Sequence, residues 1–218
     1  LSQQLNSIID ITRIDAGELH INKQPFQLKK FIDGVVNEFS LAAEKVNCKI
    51  RTQVTNDWTN TDKVLLARIV RNFISNVIQH CPDSTLVIES HRHDDKVELL
   101  FTDDGPGLAE TDQEIIFSEF YQLNNPERDR NKGMGLGLSI VKRLTKLLNI
   151  KLVLQSEQGK GSTFAITLPL YISAPLTESA DSQHKTENKL DVAGLFVVVV
   201  DDEKENLDAM HALLTLWE

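Results

Sequence analysis

The sequence predicts an α/β fold for most of the chain. Segments whose apolar residues recur at helical spacing, such as Thr61–His80, alternate with segments in which apolar and polar residues alternate, such as Thr85–His91. The 218 residues are 41% hydrophobic and 25% charged, which is ordinary for a globular protein. A chain of this composition can bury its own core without disulfides.

Charge and cysteine content exclude several functional classes. The 23 Lys and Arg residues against 32 Asp and Glu residues give a net charge of −9, which argues against a general nucleic-acid binder. The two cysteines, Cys48 and Cys81, cannot form a disulfide framework, so we expect a reducing compartment. The longest apolar run, Leu195–Val200, is far shorter than the ~20 residues of a membrane-spanning helix.

The predicted elements follow one another along the middle of the chain. Helices are predicted at Phe31–Val46, Thr61–His80, Gln113–Tyr121 and Gly135–Leu148. Strands are predicted at Lys49–Val54, Thr85–His91, Lys96–Thr102, Lys151–Glu157 and Thr163–Leu170. The polar residues Arg92–Asp95 are expected to form the turn between the second and third of these strands.

The two ends of the chain differ in composition from this middle part. Apolar residues in the first 14 positions recur at helical spacing, and Asp15–Gly17 is typical of a helix end. The polar segment Ser173–Asp191 predicts a linker. The apolar strand pattern Leu195–Val200, followed by Asp201 and Asp202, predicts the start of another α/β unit. We therefore expect the chain to be an excerpt of a longer protein.

The helix predicted at Thr61–His80 carries a polar stripe beside its apolar one. Asn72, Asn76, Gln79 and His80 share a face because they follow the i, i+4, i+7 and i+8 spacing. Carboxamide oxygens are neutral ligands that suit a Mg²⁺ ion which keeps most of its water and binds phosphate oxygens. A solvated helix face explains the same stripe, and two Asn residues alone favour that interpretation.

The turn Asp103–Gly107 follows directly on a predicted strand. Gly105 and Gly107 carry no side chain, so the backbone can approach a ligand closely there. The carboxylate of Asp103 can accept a hydrogen bond from an exocyclic amine. Taken alone, the segment is better explained as an ordinary Asp-Gly turn.

A glycine-rich segment, Lys132–Leu138, opens the last predicted helix. Gly133, Gly135 and Gly137 expose backbone N–H groups at a helix N-terminus, which suits phosphate, although a solvated loop is the alternative. The polar segment 124–131 precedes these glycines, whereas a Rossmann motif should follow a strand, and the chain has no P-loop motif. Positive charge beside the glycines comes from Arg128, Arg130 and Lys132.

The order of these motifs is more specific than any one of them. Together they closely resemble the ATP-binding domain of sensor histidine kinases, which share a superfamily with gyrase, heat-shock chaperone and mismatch-repair ATPases. The resemblance covers about residues 1–170. The matching motifs are Asn72–Asn76 as the N box, Asp103–Gly107 as the first glycine box, Ile116–Gln122 as the F box and Gly133–Leu138 as the second glycine box.

The resemblance implies a fold and a domain organisation. The fold is a two-layer α/β sandwich of the Bergerat type, with a mixed sheet and three main helices. Residues 1–17 resemble the end of the dimerisation hairpin, and residues 18–170 resemble the catalytic ATP-binding domain. Residues 171–193 would be a linker, and residues 194–218 resemble the first strand and helix of a receiver domain. A receiver behind a kinase domain implies a hybrid sensor histidine kinase.

The resemblance also assigns roles to individual residues. Asp103 would read the adenine amine, Asn76 would coordinate Mg²⁺ and Asn72 would lie beside the phosphates. The catalytic residues would be Asn72, Asn76 and Lys132, and residues 124–132 would form the ATP lid. The further ATP contacts would be Gln79, His80, Gly105, Gly107, Leu108, Tyr121, Arg128, Arg130, Lys132, Gly133, Met134, Gly135, Leu136, Gly137, Leu138 and Thr163.

The implied activity is transfer of the ATP γ-phosphoryl group to a histidine of a dimerisation helix and then to a receiver aspartate. The implied cofactors are ATP and Mg²⁺, with Asp201 and Asp202 as the acidic Mg²⁺ pair of the receiver. The implied partners are a second copy of the protein, its own receiver and a downstream phosphotransfer or response-regulator protein. None of the six histidines resembles the phosphoacceptor, so we expect no autophosphorylation by this excerpt alone. We expect a cytoplasmic location.

Departures from the family pattern keep two alternatives open. Val77 and Gln79 stand where the family often has Ala and Lys, so one phosphate-facing charge is missing. Asn72 stands where ATP-hydrolysing relatives carry a water-activating Glu, which favours transfer to a side chain over hydrolysis. The alternatives are a protein Ser/Thr kinase of the same fold and a non-catalytic nucleotide-binding module. Gln79, in place of the Lys, would be the first sign of a module that has lost its activity.

Overall fold

A computed structural model describes residues 19–123 and 135–171 and confirms the α/β class. The predicted helical stub at 1–17, the linker beyond residue 171 and the receiver start lie outside the described residues. The strands are β1 (Lys23–Gln27), β2 (Lys49–Gln53), β3 (Trp58–Asp62), β4 (Thr85–His93), β5 (Lys96–Asp103), β6 (Lys151–Glu157) and β7 (Gly161–Pro169). The helices are α1 (Leu28–Asn37), α2 (Ser40–Lys45), α3 (Lys63–His80) and α4 (Gly137–Leu148).

Five strands form one mixed sheet in the order β2-β4-β5-β7-β6. The β2–β4 pair is parallel and the other three pairs are antiparallel. β1 and β3 form a separate antiparallel pair, which meets the end of β7 through a bridge between Thr59 and Leu170. The register places Asp103, the last residue of β5, opposite Ser162 of β7. This register decides which residues of β7 share a face with Asp103.

The core packs α3 against one face of the five-stranded sheet. The ring of Phe73 lies 4.8 Å from that of Phe101 on β5 and 5.0 Å from that of Phe164 on β7. Burial of one such side chain contributes about 1.5–3 kcal/mol, so these rings hold α3 over the middle of the sheet. No helix in the described ranges is both long and apolar enough to cross a membrane. The predicted apolar stripe is confirmed, because its members are all buried: Leu66, Ile69, Val70, Phe73 and Val77.

Asp62 fixes the start of α3. Its Oδ1 accepts hydrogen bonds from the backbone N–H groups of Val64 and Leu65, each at 2.9 Å. Its Oδ2 accepts the N–H of Asn22 at 2.8 Å and so ties the helix to the chain before β1. An aspartate cap of this kind stabilises a helix by about 1 kcal/mol. The helix therefore starts two residues after the predicted Thr61.

The single helix predicted at Phe31–Val46 is wrong, because the structure has two helices there. α1 ends at Asn37, α2 begins at Ser40, and the Ser40 hydroxyl donates to the Asn37 carbonyl oxygen at 3.0 Å. Side-chain bonds to nearby backbone groups compete with helical hydrogen bonds. The apolar spacing continues across this break, so periodicity alone does not reveal it.

The helix predicted at Gln113–Tyr121 is also wrong. Only Ile115–Phe117 forms a single 3-10 turn, and Ser118 then has an extended backbone with ψ 149°. The sequence does not predict β1 or β3, because the five residues of β3 are mostly polar. The turn predicted at Arg92–Asp95 is shorter, since β4 continues to His93. The other predicted elements agree with the structure to within two residues at either end.

Candidate nucleotide-binding site

A buried carboxylate stands where β5 ends. Asp103 is only 6% exposed, and its Oδ1 accepts a hydrogen bond from the Gly105 N–H at 2.9 Å. The Sγ of Cys81, the residue that caps the C-terminus of α3, lies 3.7 Å from the same oxygen. Burial raises the pKa of Asp103, and hydrogen bonds from Gly105, Cys81 and the Ser162 backbone oppose that rise. The carboxylate is therefore a fixed acceptor beside the end of α3.

Two glycines around this carboxylate have no room for a side chain. Gly107 has φ +63°, and a Cβ there would lie 2.0 Å from the carbonyl oxygen of Glu157. Gly161 has φ +98°, and a Cβ there would lie 2.0 Å from the carbonyl oxygen of Asp103. Positive φ and backbone contact together require glycine at both positions. Packing against Glu157 therefore explains why position 107, one of the two glycines of the first glycine box, is glycine.

The hydroxyl of Ser156 on β6 anchors the loop after Asp103. It accepts the backbone N–H of Leu108 at 2.8 Å and lies 3.0 Å from the carbonyl oxygen of Gly161. The Gly159 N–H donates to the carbonyl oxygen of Pro106 at 2.7 Å. The first glycine box is thus held against the turn between β6 and β7. Sequence reasoning missed Ser156, whose pattern is that of an ordinary strand residue.

Alternation along β7 separates Thr163 from the Asp103 side of the sheet. Ser162 pairs with Asp103 and shares its face, whereas Thr163 pairs with Thr102 and points to the opposite face. The two threonine hydroxyls lie 3.1 Å apart. The structure therefore does not bring the Thr163 side chain to Asp103. Ser162, which the sequence analysis did not select, is the β7 side chain on that face.

Asn72 and Asn76 lie one turn apart on α3, and both face the start of α4. A Cβ on Gly137 would lie 2.8 Å from the Oδ1 of Asn72 and 3.5 Å from the Oδ1 of Asn76. The Nδ2 of Asn72 donates to the Arg68 carbonyl oxygen at 2.8 Å, which turns its oxygen toward Gly137. Two amide oxygens therefore meet the N-terminus of a helix, where free N–H groups attract anions.

The F box and the second glycine box are adjacent. The N–H of Phe120 donates to the Gly135 carbonyl oxygen at 3.0 Å. Gly135 has φ +69°, and a Cβ there would lie 2.5 Å from the carbonyl oxygen of Tyr121. The Tyr121 hydroxyl donates to Asp112 at 2.9 Å, and this bond raises the pKa of Tyr121. Tyr121 thus borders the segment that leads into α4.

The two groups of polar residues lie at different positions along the same helix. Asn72 and Cys81 are nine residues apart, which is about 14 Å at 1.5 Å per residue. Asn76 lies between them. The helix therefore spaces a buried carboxylate from an amide pair at a helix N-terminus. This spacing suits one elongated ligand with a hydrogen-bond donor at one end and phosphate at the other.

The other residues predicted to contact ATP differ in burial. Gln79 and His80 are exposed in the last turn of α3, while Leu136 is buried and Leu138 packs against the core. In the described ranges, no three His, Cys, Asp or Glu side chains gather as a metal cluster would. The predicted residues that lie outside the described ranges are Arg128, Arg130, Lys132, Gly133, Met134, Asp201 and Asp202.

Sequence comparison finds relatives among signalling kinases. The family model described as histidine kinase-, DNA gyrase B-, and HSP90-like ATPase matches residues 61–172, just over half of the chain. The chain is 30% identical to the autoinducer 2 sensor kinase/phosphatase LuxQ of Vibrio vulnificus, covering 98% of this chain and 26% of that protein. It is 26% identical to the circadian input-output histidine kinase CikA of Synechococcus elongatus, covering 99% and 28%. The chain spans about a quarter of the length of these relatives.

Structure comparison finds the same fold. Full-length ShkA in complex with AMPPNP matches with a TM-score of 0.70 and 23% identity, covering 78% of this chain and 36% of that chain. The nucleotide-free catalytic domain of the histidine kinase ThkA matches with a TM-score of 0.60 and 22% identity, covering 68% and 95%. At these identities the likeness concerns the fold, which is that of a kinase catalytic domain.

Proposed function

The chain belongs to the family of histidine kinase-, DNA gyrase B-, and HSP90-like ATPases, and on that premise we propose that it is the catalytic part of a hybrid sensor histidine kinase. One observation carries the proposal. A buried carboxylate at Asp103 lies beside the C-terminal end of α3, and the amides of Asn76 and Asn72 lie about 8 Å and about 14 Å from that end along the helix. ATP has an amine at one end and phosphates at the other, so it fits this spacing.

At the base end, Asp103 would accept a hydrogen bond from the adenine amine. An ionised carboxylate only accepts, so it selects a ligand with a donor at this position. Gly105 and Gly107 would keep the loop packed beside this carboxylate, because a side chain at either position would meet Cys81 or the Glu157 backbone. The loop after Asp103 is ordered before a nucleotide binds, because Ser156 and Gly159 hold it by hydrogen bonds. Such preorganisation lowers the entropy cost of binding.

At the phosphate end, the amide oxygens of α3 would be ligands for a metal ion, and the N-terminus of α4 would supply N–H donors. The oxygens of Asn72 and Asn76 converge on Gly137, so a hydrated Mg²⁺ and phosphate oxygens suit the chemistry of this place. Bound Mg²⁺ would neutralise charge on the phosphates during transfer. The N–H groups that open α4 would orient the phosphate chain. Arg128, Arg130 and Lys132 would add positive charge from the proposed lid.

The phosphoryl acceptor would be a histidine of a dimerisation helix, followed by a receiver aspartate beside Asp201 and Asp202. Asn72 supports transfer over hydrolysis, because an amide cannot take a proton from water as a carboxylate can. The proposed partners are a second copy of the protein, the receiver and a downstream phosphotransfer protein. The names of LuxQ and CikA, which describe a sensor kinase and a histidine kinase, support this class of activity.

A binding experiment tests the site. We expect the 218-residue chain to bind Mg-ATP in calorimetry, and Asp103→Ala or Asn76→Ala to weaken binding at least tenfold, since each removes a hydrogen bond or ligand. Asp95→Ala and Asn60→Ala are matched controls, because these residues lie outside the proposed site. Unchanged affinity in both site variants would overturn the assignment.

An activity experiment tests the reaction class. With γ-labelled ATP, we expect no acid-labile phosphohistidine on the chain by itself, and labelling of a supplied dimerisation-helix domain that contains an acceptor histidine. Stable phosphohistidine on the isolated chain would contradict the first expectation. Acid-stable phosphate on serine or threonine of an added protein would favour the Ser/Thr kinase alternative.

A further inference from the structure

The thiol of Cys81 lies in the base end of the site, although no predicted role uses it. Its Sγ is 3.7 Å from the Oδ1 of Asp103, and a Cβ on Gly105 would lie 2.4 Å from it. Cys81 is only 9% exposed. The sulfur thus fills the space between the end of α3, the carboxylate and the glycine loop. A side chain in this position can influence both the angle and the charge of the carboxylate.

The backbone of Cys81 is held on both sides. Its N–H donates to the carbonyl oxygen of Val77 at 2.8 Å, which completes the last turn of α3. Its carbonyl oxygen accepts the hydroxyl hydrogen of Ser84, the residue before β4. The Cα–Cβ bond is therefore fixed by a helix end and by a side-chain bond. Only rotation about one bond remains to direct the sulfur toward Asp103.

The thiol stays protonated at neutral pH and is therefore a donor. Burial, together with the nearby Asp103 carboxylate, raises the pKa of Cys81 to about 12. A carboxylate offers about four acceptor positions. Cys81 and Gly105 supply donors to Asp103 at 3.7 Å and 2.9 Å. The Cys81 thiol and the Gly105 N–H both donate to Oδ1, so Oδ2 is the oxygen left for a ligand.

We propose that Cys81 is a positioning residue for base recognition: its thiol holds the Asp103 carboxylate so that the free acceptor position meets the 6-amino group of adenine. The inference rests on the proposed ATP-binding function and names the device that sets base selectivity. Cys81 itself need not touch the nucleotide. Its effect is confined to ligands that donate a hydrogen bond to Asp103.

The second cysteine provides a matched control. Cys48 is 5% exposed, and the Ser84 hydroxyl lies 3.9 Å from its sulfur. Burial raises the pKa of Cys48, as it does for Cys81. The hydrogen-bonding neighbour differs, because Ser84 contacts Cys48 where Asp103 contacts Cys81. Substitution of each cysteine by valine therefore separates loss of a buried thiol from loss of the contact with Asp103.

The test measures how well the protein distinguishes two nucleotides. ATP and purine riboside triphosphate, which has hydrogen in place of the 6-amino group, are titrated by calorimetry into the wild-type chain, Cys81→Val, Cys81→Ser and Cys48→Val. We expect Cys81→Val to lose about five- to tenfold in ATP affinity while its affinity for the analogue is unchanged. Cys81→Ser keeps a donor and should restore most of the preference for ATP. Cys48→Val should keep the wild-type ratio.

Other outcomes overturn the inference. If Cys81→Val is folded by circular dichroism and keeps the wild-type ratio, the thiol does not position Asp103. An equal loss for both nucleotides means a packing role and also overturns it. If Cys81→Val does not fold, the ratio of the affinities for ATP and the analogue is measured on Cys81→Ala instead, and the same outcomes apply. A wild-type chain that binds neither nucleotide refutes the proposed function itself, whereas one that prefers ATP leaves that function standing whatever the variants do.

Discussion

The two ends of the candidate site are built from different parts of the chain. At the base end, backbone meets backbone: a Cβ on Gly161 would lie 2.0 Å from the carbonyl oxygen of Asp103. At the phosphate end, a Cβ on Gly137 would meet side-chain atoms, of which the amide oxygen of Asn72 is the nearest at 2.8 Å. A contact between backbones cannot yield, whereas the end of a side chain can rotate. The contact of Gly161 at the base end is therefore rigid, whereas the contact of Gly137 with Asn72 at the phosphate end can adapt to a ligand.

The largest effect should come from adding one methyl group at the rigid end. Gly161→Ala combines positive φ with a clash against the Asp103 backbone, so we expect a loss of about 3 kcal/mol or more in the free energy of unfolding. Urea unfolding followed by circular dichroism measures it. Nucleotide binding should fall with it, because the clash displaces Asp103.

Gly159→Ala is the matched control for that substitution. Gly159 also has positive φ, at +84°, but nothing lies within 4 Å of a Cβ built there. Only backbone strain remains, which costs about 1–2 kcal/mol. Equal losses at positions 159 and 161 would show that the β6–β7 turn yields and that the base end is less rigid than its contacts indicate.

A methyl group at the adaptable end should separate binding from stability. Gly137→Ala should change the free energy of unfolding by less than about 1 kcal/mol, because the Asn72 side chain can turn away. Displacement of the Asn72 side chain should weaken Mg-ATP binding about fivefold to tenfold in calorimetry. Gly34→Ala in α1, where a Cβ has open space, should leave binding unchanged. Wild-type affinity in Gly137→Ala would mean that Asn72 does not face the phosphates.

The smallest effect concerns alkaline pH. The pKa of Cys81 is raised from 9.0 to about 12, so the thiol stays protonated in the folded chain while it ionises in the unfolded chain. Its contribution to stability is complete below pH 9.0 and is lost as the pH rises toward about 12. At pH 9.5 the wild-type chain should be less stable relative to Cys81→Ser than at pH 7, by no more than about 1 kcal/mol. Urea midpoints of both chains at the two pH values measure this. If the stability difference between the two chains is the same at both pH values, the pKa of the Cys81 thiol is not raised by burial.

The sequence predicts long elements better than short ones. α3 and the strands β4 and β5 are correct to within two residues, because apolar spacing over eight or more residues reports a buried face. The break between Asn37 and Ser40, where the Ser40 hydroxyl donates to the Asn37 carbonyl oxygen, leaves that spacing intact. β3 is largely polar and exists because it pairs with β1 and meets β7. No local pattern carries such long-range pairing.

For the site, motif order selects residues that the fold places on the α3 side of the sheet and one, Thr163, that it places on the other side. Asp103, Asn72 and Asn76 are brought to the α3 side of the sheet, as the family resemblance implies. Thr163 is one residue away from the face that Asp103 occupies, and a shift of one residue along a strand reverses the face. Alternation from the buried Phe164 would have selected Ser162.

The sequence by itself determined the class of the fold and the order of the motifs, because periodicity and glycine placement are local properties. The tertiary structure alone decided that Cys81 meets Asp103 across 22 positions of chain and that Gly137 lies against Asn72 across 65. Both contacts exist because α3 packs across β5 and β7 through Phe73. Packing of that core places Asp103 and Gly137 beside α3, and no single segment of the sequence determines that placement.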